Sequence, residues 1–403
     1  MQHIYVLGRQ PSLGLAELES LCGPSAVRAF GAHCAIIEQA ENEPAFARLG
    51  GSTKRAVVLT TISGNDWRSI EKELLKIVRS SSLALPTSGK FHLGLSVIGI
   101  SVSTGKVNAL GLTLKKVIRS RHDGSVRLVP NNSLELSTAQ VYHSHLADEH
   151  GAEIVIASDG TQTILARTDA VQDIDSYTVR DRSRPMRDAR VGMLPPKLAQ
   201  IIINLAIGEL KTANGTERSD QKFRVLDPFC GTGVLLQEAL LMGYDAYGTD
   251  LEPRMIQFTE KNMQWLQDQY PKKSFVLQTK VGDATTHTWS PQPSIVACES
   301  YLGRPFTEQP ARAILEQNVS DVNIIIKKFL ANIHPQLPLG ARLCIAVPAW
   351  QLKPSSFRHL PLVDSLEEIG YNRVSFERVR DADLIYYRDD QIVARQLLIL
   401  TVN

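Results

Sequence analysis

No Cys-x-x-Cys pair occurs in this 403-residue chain, and its five cysteines, Cys22, Cys34, Cys230, Cys298 and Cys344, are scattered. That spacing argues against a zinc site or a disulfide framework and predicts a reducing compartment. No run approaches the roughly 18 apolar residues that a membrane span needs. The apolar stretch within residues 1–9 is too short for a secretory leader. The expectation is a soluble cytoplasmic protein with no membrane partner and no metal. A large excess of one charge is also missing. The net charge is +2, so nucleic-acid binding does not follow from the total. What is present is an apolar content of 43%, that of a globular protein, in a chain long enough for two or three domains.

The charges are unevenly spread. Residues 1–197 hold 23 Lys+Arg against 19 Asp+Glu, a charge of +4, and the remainder holds 21 against 23, a charge of −2. Within 106–127, Lys106, Lys115, Lys116, Arg119, Arg121 and Arg127 meet a single acid, Asp123. Such a cluster suits a phosphate-binding face, and a solvated helix face is the plain alternative. A second group, Arg180, Arg182, Arg184, Arg187 and Arg190, is interspersed with Asp181 and Asp188. These arginines either steer RNA towards a pocket or pair with the neighbouring acids.

The most informative stretch is Val225-Leu226-Asp227-Pro228-Phe229-Cys230-Gly231-Thr232-Gly233, followed by an apolar helical pattern through Leu235, Leu236, Ala239 and Leu240. This reads as strand, glycine loop and helix, with free N–H groups at the helix start for a ligand. A dinucleotide fold wants a small third residue in G-x-G-x-x-G/A, and Leu236 stands there instead. S-adenosylmethionine wants an acid before the loop, a ribose acid after the next strand and a third acid for the adenine amine. Asp227, Asp250 and Asp283 occur in that order. The candidate cofactor residues are Asp227, Pro228, Phe229, Gly231, Gly233, Asp250, Leu251, Asp283 and Ala284. An α/β domain with ordinary turn acids is the alternative.

Elsewhere, alternation and 3.6-residue periodicity predict strands at 3–7, 33–38, 55–62, 91–97 and 126–129, a helix from Asn65 or Asp66, and helices at 107–121 and 138–150. A hairpin is expected from 153–157 and 162–166. Residues 80–90 read as a loop and 214–220 as a polar loop. The 197–210 segment reads as a helix. In the C-terminal half, strands are expected at 275–277, 294–297 and 341–348, a helix at 312–330, and a final pair at 373–379 and 391–401.

Several motifs resemble a family. Leu7-Gly8-Arg9-Gln10-Pro11, Gly14-Leu15-Ala16-Glu17-Leu18-Glu19, the 227–233 motif and Met193-Leu194-Pro195-Pro196-Lys197-Leu198-Ala199 resemble the THUMP-domain RNA methyltransferases, most nearly the tRNA guanine-N2 methyltransferase branch. The resemblance covers nearly the whole chain and is looser in its first half. It implies an α/β chain in four parts. These are a ferredoxin-like unit at 1–50 (extending as far as about 80), a THUMP domain at 51–168, a linker at 169–196 and a Rossmann-like class I methyltransferase domain at 197–403. The last would hold a mainly parallel sheet with an antiparallel edge. THUMP domains bind the acceptor end of tRNA. This places Lys115, Lys116, Arg119, Arg121 and Arg127 on RNA, with Arg180 and Arg184 beside them.

The family's catalytic motif is Asp/Asn-Pro-Pro-Tyr, whose polar side chain holds the exocyclic amine while the ring stacks on the extruded base. This chain departs from it, with Glu299-Ser300-Tyr301-Leu302-Gly303. Glu299 and Tyr301 are the candidate catalytic residues, and Arg304 is a candidate for a phosphate or for packing on Glu299. The expectation is methylation of an exocyclic base amine in RNA, guanine N2 in tRNA. The altered motif keeps two alternatives open: a methyltransferase on rRNA or DNA amines, and a non-catalytic protein that binds S-adenosylmethionine and RNA.

Overall fold

The computed structural model describes residues 2–38, 43–80, 88–188, 194–210, 223–306, 308–353 and 356–403. Met193, Arg190 and the polar stretch 214–220, singled out above, lie outside these residues. The chain divides into two units. One comprises 1–15, 24–47 and 51–176, and the other 16–23, 48–50 and 177–403.

The first unit is built on β1 (His3–Leu7), β2 (Val27–Phe30), β3 (Cys34–Ile37), β4 (Ser52–Ser63), β5 (Ser88–Ile98), β6 (Asp123–Leu128), β7 (Gly151–Ser158) and β8 (Gln162–Val171). Among the described residues these form an eight-stranded sheet in the order β2-β3-β1-β4-β8-β7-β5-β6. The helix α1 (Pro11–Cys22) is shared between the units, and α2 (Trp67–Arg79), α3 (Thr104–Arg119) and α4 (Thr138–His143) belong to the first. Asp66 caps α2 by accepting the Ser69 N–H at 2.9 Å. Ile70, Leu74 and Ile77 of α2 and Leu110, Leu114 and Ile118 of α3 bury their 3.6-residue stripes against Phe91, Leu93 and Leu95 of β5.

β1 pairs directly with β4, His3 opposite Val57. The segments 1–50 and 51–168, expected as separate units, therefore share one sheet. Three local expectations are corrected. Residues 88–90 of the supposed loop extend β5, and the helix expected through 150 stops at His143. The supposed linker carries a helix, α5 (Ile174–Arg182).

The second unit contains α6 (Pro196–Ile207), β9 (Arg224–Asp227), α7 (Val234–Leu241), β10 (Asp245–Asp250), α8 (Pro253–Gln269), β11 (Leu277–Val281), β12 (Ile295–Glu299) and α9 (Arg312–Ile333). It closes with β13 (Arg342–Lys353), β14 (Ser356–Arg358), β15 (Tyr371–Arg373), β16 (Ile385–Tyr386) and β17 (Val393–Val402). Its strand order is β11-β10-β9-β12-β13-β17-β15. The first five strands are parallel, and β17 runs antiparallel to both β13 and β15. This is the Rossmann-like arrangement of class I methyltransferases. The order reverses between β9 and β12, and in open α/β sheets ligands bind outside the carboxyl ends of the strands at such a point.

The glycine loop is fixed by close packing. Gly233 caps α7 at φ +83°, and a Cβ there would lie 3.0 Å from Thr259 Cγ2. Leu236, the residue that disfavours a dinucleotide, fits because the small partner stands on the strand instead. A Cβ on Gly248 would meet Leu236 Cδ1 at 2.4 Å. Gly248→Val is expected to destabilise the fold by about 1–3 kcal/mol through overpacking. Adding Leu236→Ala should give a loss smaller than the sum of the two single losses, and a denaturant double-mutant cycle checks this.

Candidate active site

Strand β9 delivers Asp227 to the reversal point. The side chain is 3% exposed, and its Oδ1 accepts the Phe229 N–H at 3.2 Å. Burial pushes this carboxyl well above the usual carboxylate range. The Phe229 bond opposes that shift, while Asp250 and Glu299 reinforce it by repulsion. A buried acid among acids is stabilised most by a cation placed beside it. Pro228 and Phe229 continue the loop, with Phe229 edge-on to Phe329 at 5.2 Å between ring centroids.

β10 ends in Asp250. Its Oδ2 accepts the Gly231 N–H and its Oδ1 the Glu252 N–H, both at 2.9 Å. Burial raises this carboxyl and the two backbone bonds draw it back. The next residue, Leu251, is 65% exposed, an apolar surface at the strand end. Beyond β11, Asp283 is exposed, and its Oδ1 accepts the Thr285 N–H and hydroxyl at 2.8 Å. These bonds hold its carboxyl below the ordinary value. Ala284 beside it is buried. The candidate cofactor residues thus fall at the carboxyl ends of three adjacent strands. They fit S-adenosylmethionine chemically: a buried acid for an ammonium, backbone-held acids for ribose hydroxyls and an adenine amine, and an apolar surface for the ring.

β12 lies next to β9 and ends in Glu299. Its Oε1 accepts from Arg395 Nε at 2.7 Å, and the two side chains are 15% and 10% exposed. Arg395 is a partner of the candidate site that the motifs did not reveal. The register explains the pairing: Glu299 stands opposite Ala346 and Arg395 opposite Pro348, so only short β13 side chains separate them. The partner that burial of Glu299 requires is therefore Arg395. Ser300, where the family has proline, donates its N–H and its hydroxyl to Ala346 O at 2.9 and 3.1 Å. The N–H bond is one that proline cannot form. Tyr301 follows with 42% of its surface exposed. The loop then turns at Gly303, φ +84°, and Asn318 of α9 accepts the Arg304 N–H at 3.0 Å.

The basic candidates separate into two groups. Lys116 and Arg119 are exposed and Lys115 half-buried on α3, and Arg127 is exposed on β6. Arg121 is exposed as well, and its guanidinium donates to Val78 O and, at 2.7 Å, to Ser80 O, satisfying carbonyls at the end of α2. Arg180 is corrected. It is buried, donates from Nε to Glu238 Oε1 at 2.9 Å and lies 4.4 Å from the Tyr177 ring centroid. Arg184 is corrected as well, since it is 3% exposed and donates to Thr232 Oγ1 of the glycine loop at 3.3 Å. Neither Arg180 nor Arg184 presents a cation to solvent, because the segment that carries them is packed down. Asn262 of α8 clamps it, accepting the Met186 N–H at 2.9 Å and donating to Met186 O and Thr232 O at 2.9 and 2.8 Å. No local pattern in the sequence marks Asn262 or Asn318, whose partners lie on other elements.

No family model matches the chain. It is 28% identical over 158 residues to a protein named tRNA (guanine(10)-N2)-dimethyltransferase from Methanothermobacter thermautotrophicus, covering 39% of each chain. A protein of the same name from Pyrococcus abyssi is 37% identical over 92 residues, 23% of this chain and 22% of that one. The matched stretch therefore spans about two fifths of the first relative's length. The crystal structure of TrmN from Thermus thermophilus aligns over 100% of both chains with a TM-score of 0.51 at 14% identity, which shows a shared fold.

Removing one partner of the Glu299–Arg395 pair leaves a charge stranded in a largely dry site. Arg395→Met is expected to cost about 2–4 kcal/mol in stability. Arg395→Met with Glu299→Gln should recover most of that loss, read as the midpoint shift in guanidinium unfolding.

Proposed function

We propose that the chain is an S-adenosylmethionine-dependent RNA methyltransferase that acts on an exocyclic base amine, guanine N2 in tRNA. The observation that carries the reading is the row of Asp283, Asp250 and Asp227 at neighbouring strand ends, with Glu299 at the end of the next strand across the reversal point and Tyr301 in the loop after it. The names of the sequence relatives support tRNA and guanine N2. The α3–β6 face with Lys115, Lys116, Arg119 and Arg127 supports a phosphate-bearing partner. The division into a ferredoxin-like unit, a THUMP domain and a methyltransferase domain, acting in the cytoplasm, belongs to the same reading.

When bound, S-adenosylmethionine supplies an electrophilic methyl group. Asp227 pairs with its ammonium, Asp250 accepts from ribose hydroxyls, Leu251 covers one face of the adenine, and Asp283 accepts from the adenine amine. Glu299 accepts an N–H of the target amine. A carboxylate has about four lone-pair sites, so the Arg395 bond leaves capacity for it. That contact turns the amine lone pair towards the methyl, while Tyr301 stacks on the base. The chain's own residues would raise the rate by positioning the amine and excluding water.

The test is transfer of radiolabelled methyl to separate pools of unmodified tRNA, rRNA and DNA. Label in tRNA that digests to N2-methylguanosine species, and that Glu299→Ala lowers by about 10²-fold or more, is the expected result. Label only in rRNA or DNA overturns the substrate. No label with cofactor binding intact favours a non-catalytic binding protein.

The raised Asp227 carboxyl gives a pH signature. Its proton must leave before an ammonium can pair with it, so binding releases a proton. Affinity for S-adenosylhomocysteine should rise with pH up to the raised value and then level off. Calorimetry in two buffers of different ionisation enthalpy checks both signs. A flat profile means that Asp227 does not face the ammonium.

A further inference from the structure

The Glu299–Arg395 pair is closed at its centre and open at both ends. Arg395 Nε donates to Glu299 Oε1 at 2.7 Å, and this is the one hydrogen bond that either side chain makes among the described residues. Glu299 Oε2 and the two Nη groups of Arg395 have no partner there, and none of them is sealed from solvent, the side chains keeping 15% and 10% of their surface. The strands dictate this arrangement. Glu299 is the last residue of β12 and Arg395 lies near the start of β17, at the same end of the sheet. Their β13 neighbours, Ala346 and Pro348, are two residues apart, so both side chains leave the same face. Neither neighbour has a polar side chain to occupy the open groups. An ion pair that serves packing alone satisfies its remaining donors and acceptors. This one keeps them open at the reversal point, beside the strand that delivers Asp227.

A carboxylate and a guanidinium side by side offer acceptors followed by a donor. Guanine complements that order. Beside its 2-amine it carries the ring N1–H, a second donor, and then the O6 acceptor. In adenine and cytosine the ring nitrogen next to the amine is itself an acceptor, and it would meet the carboxylate lone pair to lone pair. Extruded bases are read in this manner, by hydrogen bonds along the Watson–Crick edge. We propose that Arg395 is a base-reading residue, its Nη groups donating to O6 of the target guanine while Glu299 accepts from the 2-amine and the N1–H. This rests on the methylation of guanine N2 proposed above and names what selects the base. Selection arises from the order of charges in the pair, because a base that leaves such groups unpaired is rejected. A phosphate oxygen offers the same acceptor chemistry as O6, and the test separates the two.

The test is a cycle between one protein change and one base change, read as kcat/KM for methyl transfer. The tRNA guanosine that takes up label is replaced, by ligation of two RNA fragments, with 2-aminopurine riboside. That base keeps the 2-amine and lacks O6 and the N1 proton. Arg395→Lys keeps a cation beside Glu299 and loses the forked Nη donors. The unaltered chain should lose at least about 100-fold on 2-aminopurine. Arg395→Lys should lose about 10- to 100-fold on guanosine, and its further loss on 2-aminopurine should be smaller than that of the unaltered chain by the same factor. Losses that simply multiply would overturn the proposal and leave Arg395 on a phosphate or in the fold alone. So would equal rates of the unaltered chain on the two bases, or label on adenine or cytosine amines, results that stand even if Arg395→Lys fails to fold. If no RNA takes up label, the methyltransferase reading itself fails, and the Arg395 assignment fails with it.

Discussion

The site depends on the bond from the Gly231 N–H to the Asp250 carboxylate. Gly231, in the loop between β9 and α7, has no side chain of its own to anchor its part of that loop. It is held by the end of the neighbouring strand, where Thr249 O also accepts the Cys230 N–H at 3.0 Å. Asp250 O in turn accepts the Gly282 N–H at 3.0 Å, beyond β11. Three strand ends are thereby laced together through one residue. A pocket fixed in this way needs little reorganisation when a ligand arrives, which is what positioning chemistry requires.

The electrostatics follow from the same geometry. Asp250 and Glu299 each repel Asp227 at the strand ends, and Arg395 pairs with Glu299. The neighbourhood of Asp227 is left deficient in positive charge, which a cationic ligand would supply. Lys116 and Arg119 of α3 and Arg127 of β6 stand on exposed surface, where their electrostatic reach is weakened by salt.

Much of this was legible in the chain. The acids after three successive strands, the helix starting after Gly233 and the cap at Asp66 are local signals written in a few adjacent residues, and these appear where periodicity and turn chemistry put them. The misreadings share a cause. Arg180 and Arg184 look like free cations because their partners, Glu238 and Thr232, lie 58 and 48 residues away in the chain. Arg395 meets Glu299 across 96 residues and an intervening strand. The pairing of β1 with β4 likewise depends on register, which single-strand patterns do not encode. Leu236 illustrates the reverse. Its size was read correctly as unfavourable for a dinucleotide, and the compensating glycine lay on the next strand.

Glu17 accepts from the Gly50 N–H and from Asn204 Nδ2, and Arg48 donates to Asn204 Oδ1. Residues 16–23 and 48–50 thus pack with 177–403 rather than with their neighbours in sequence. A growing polypeptide therefore emerges with part of its later unit already made and without a place to pack. The buried carboxylate of Glu17 waits about 190 residues for its amide partner. Synthesis order and folding order cannot coincide here, and a cut of the chain near residue 177 would not yield a self-sufficient C-terminal piece.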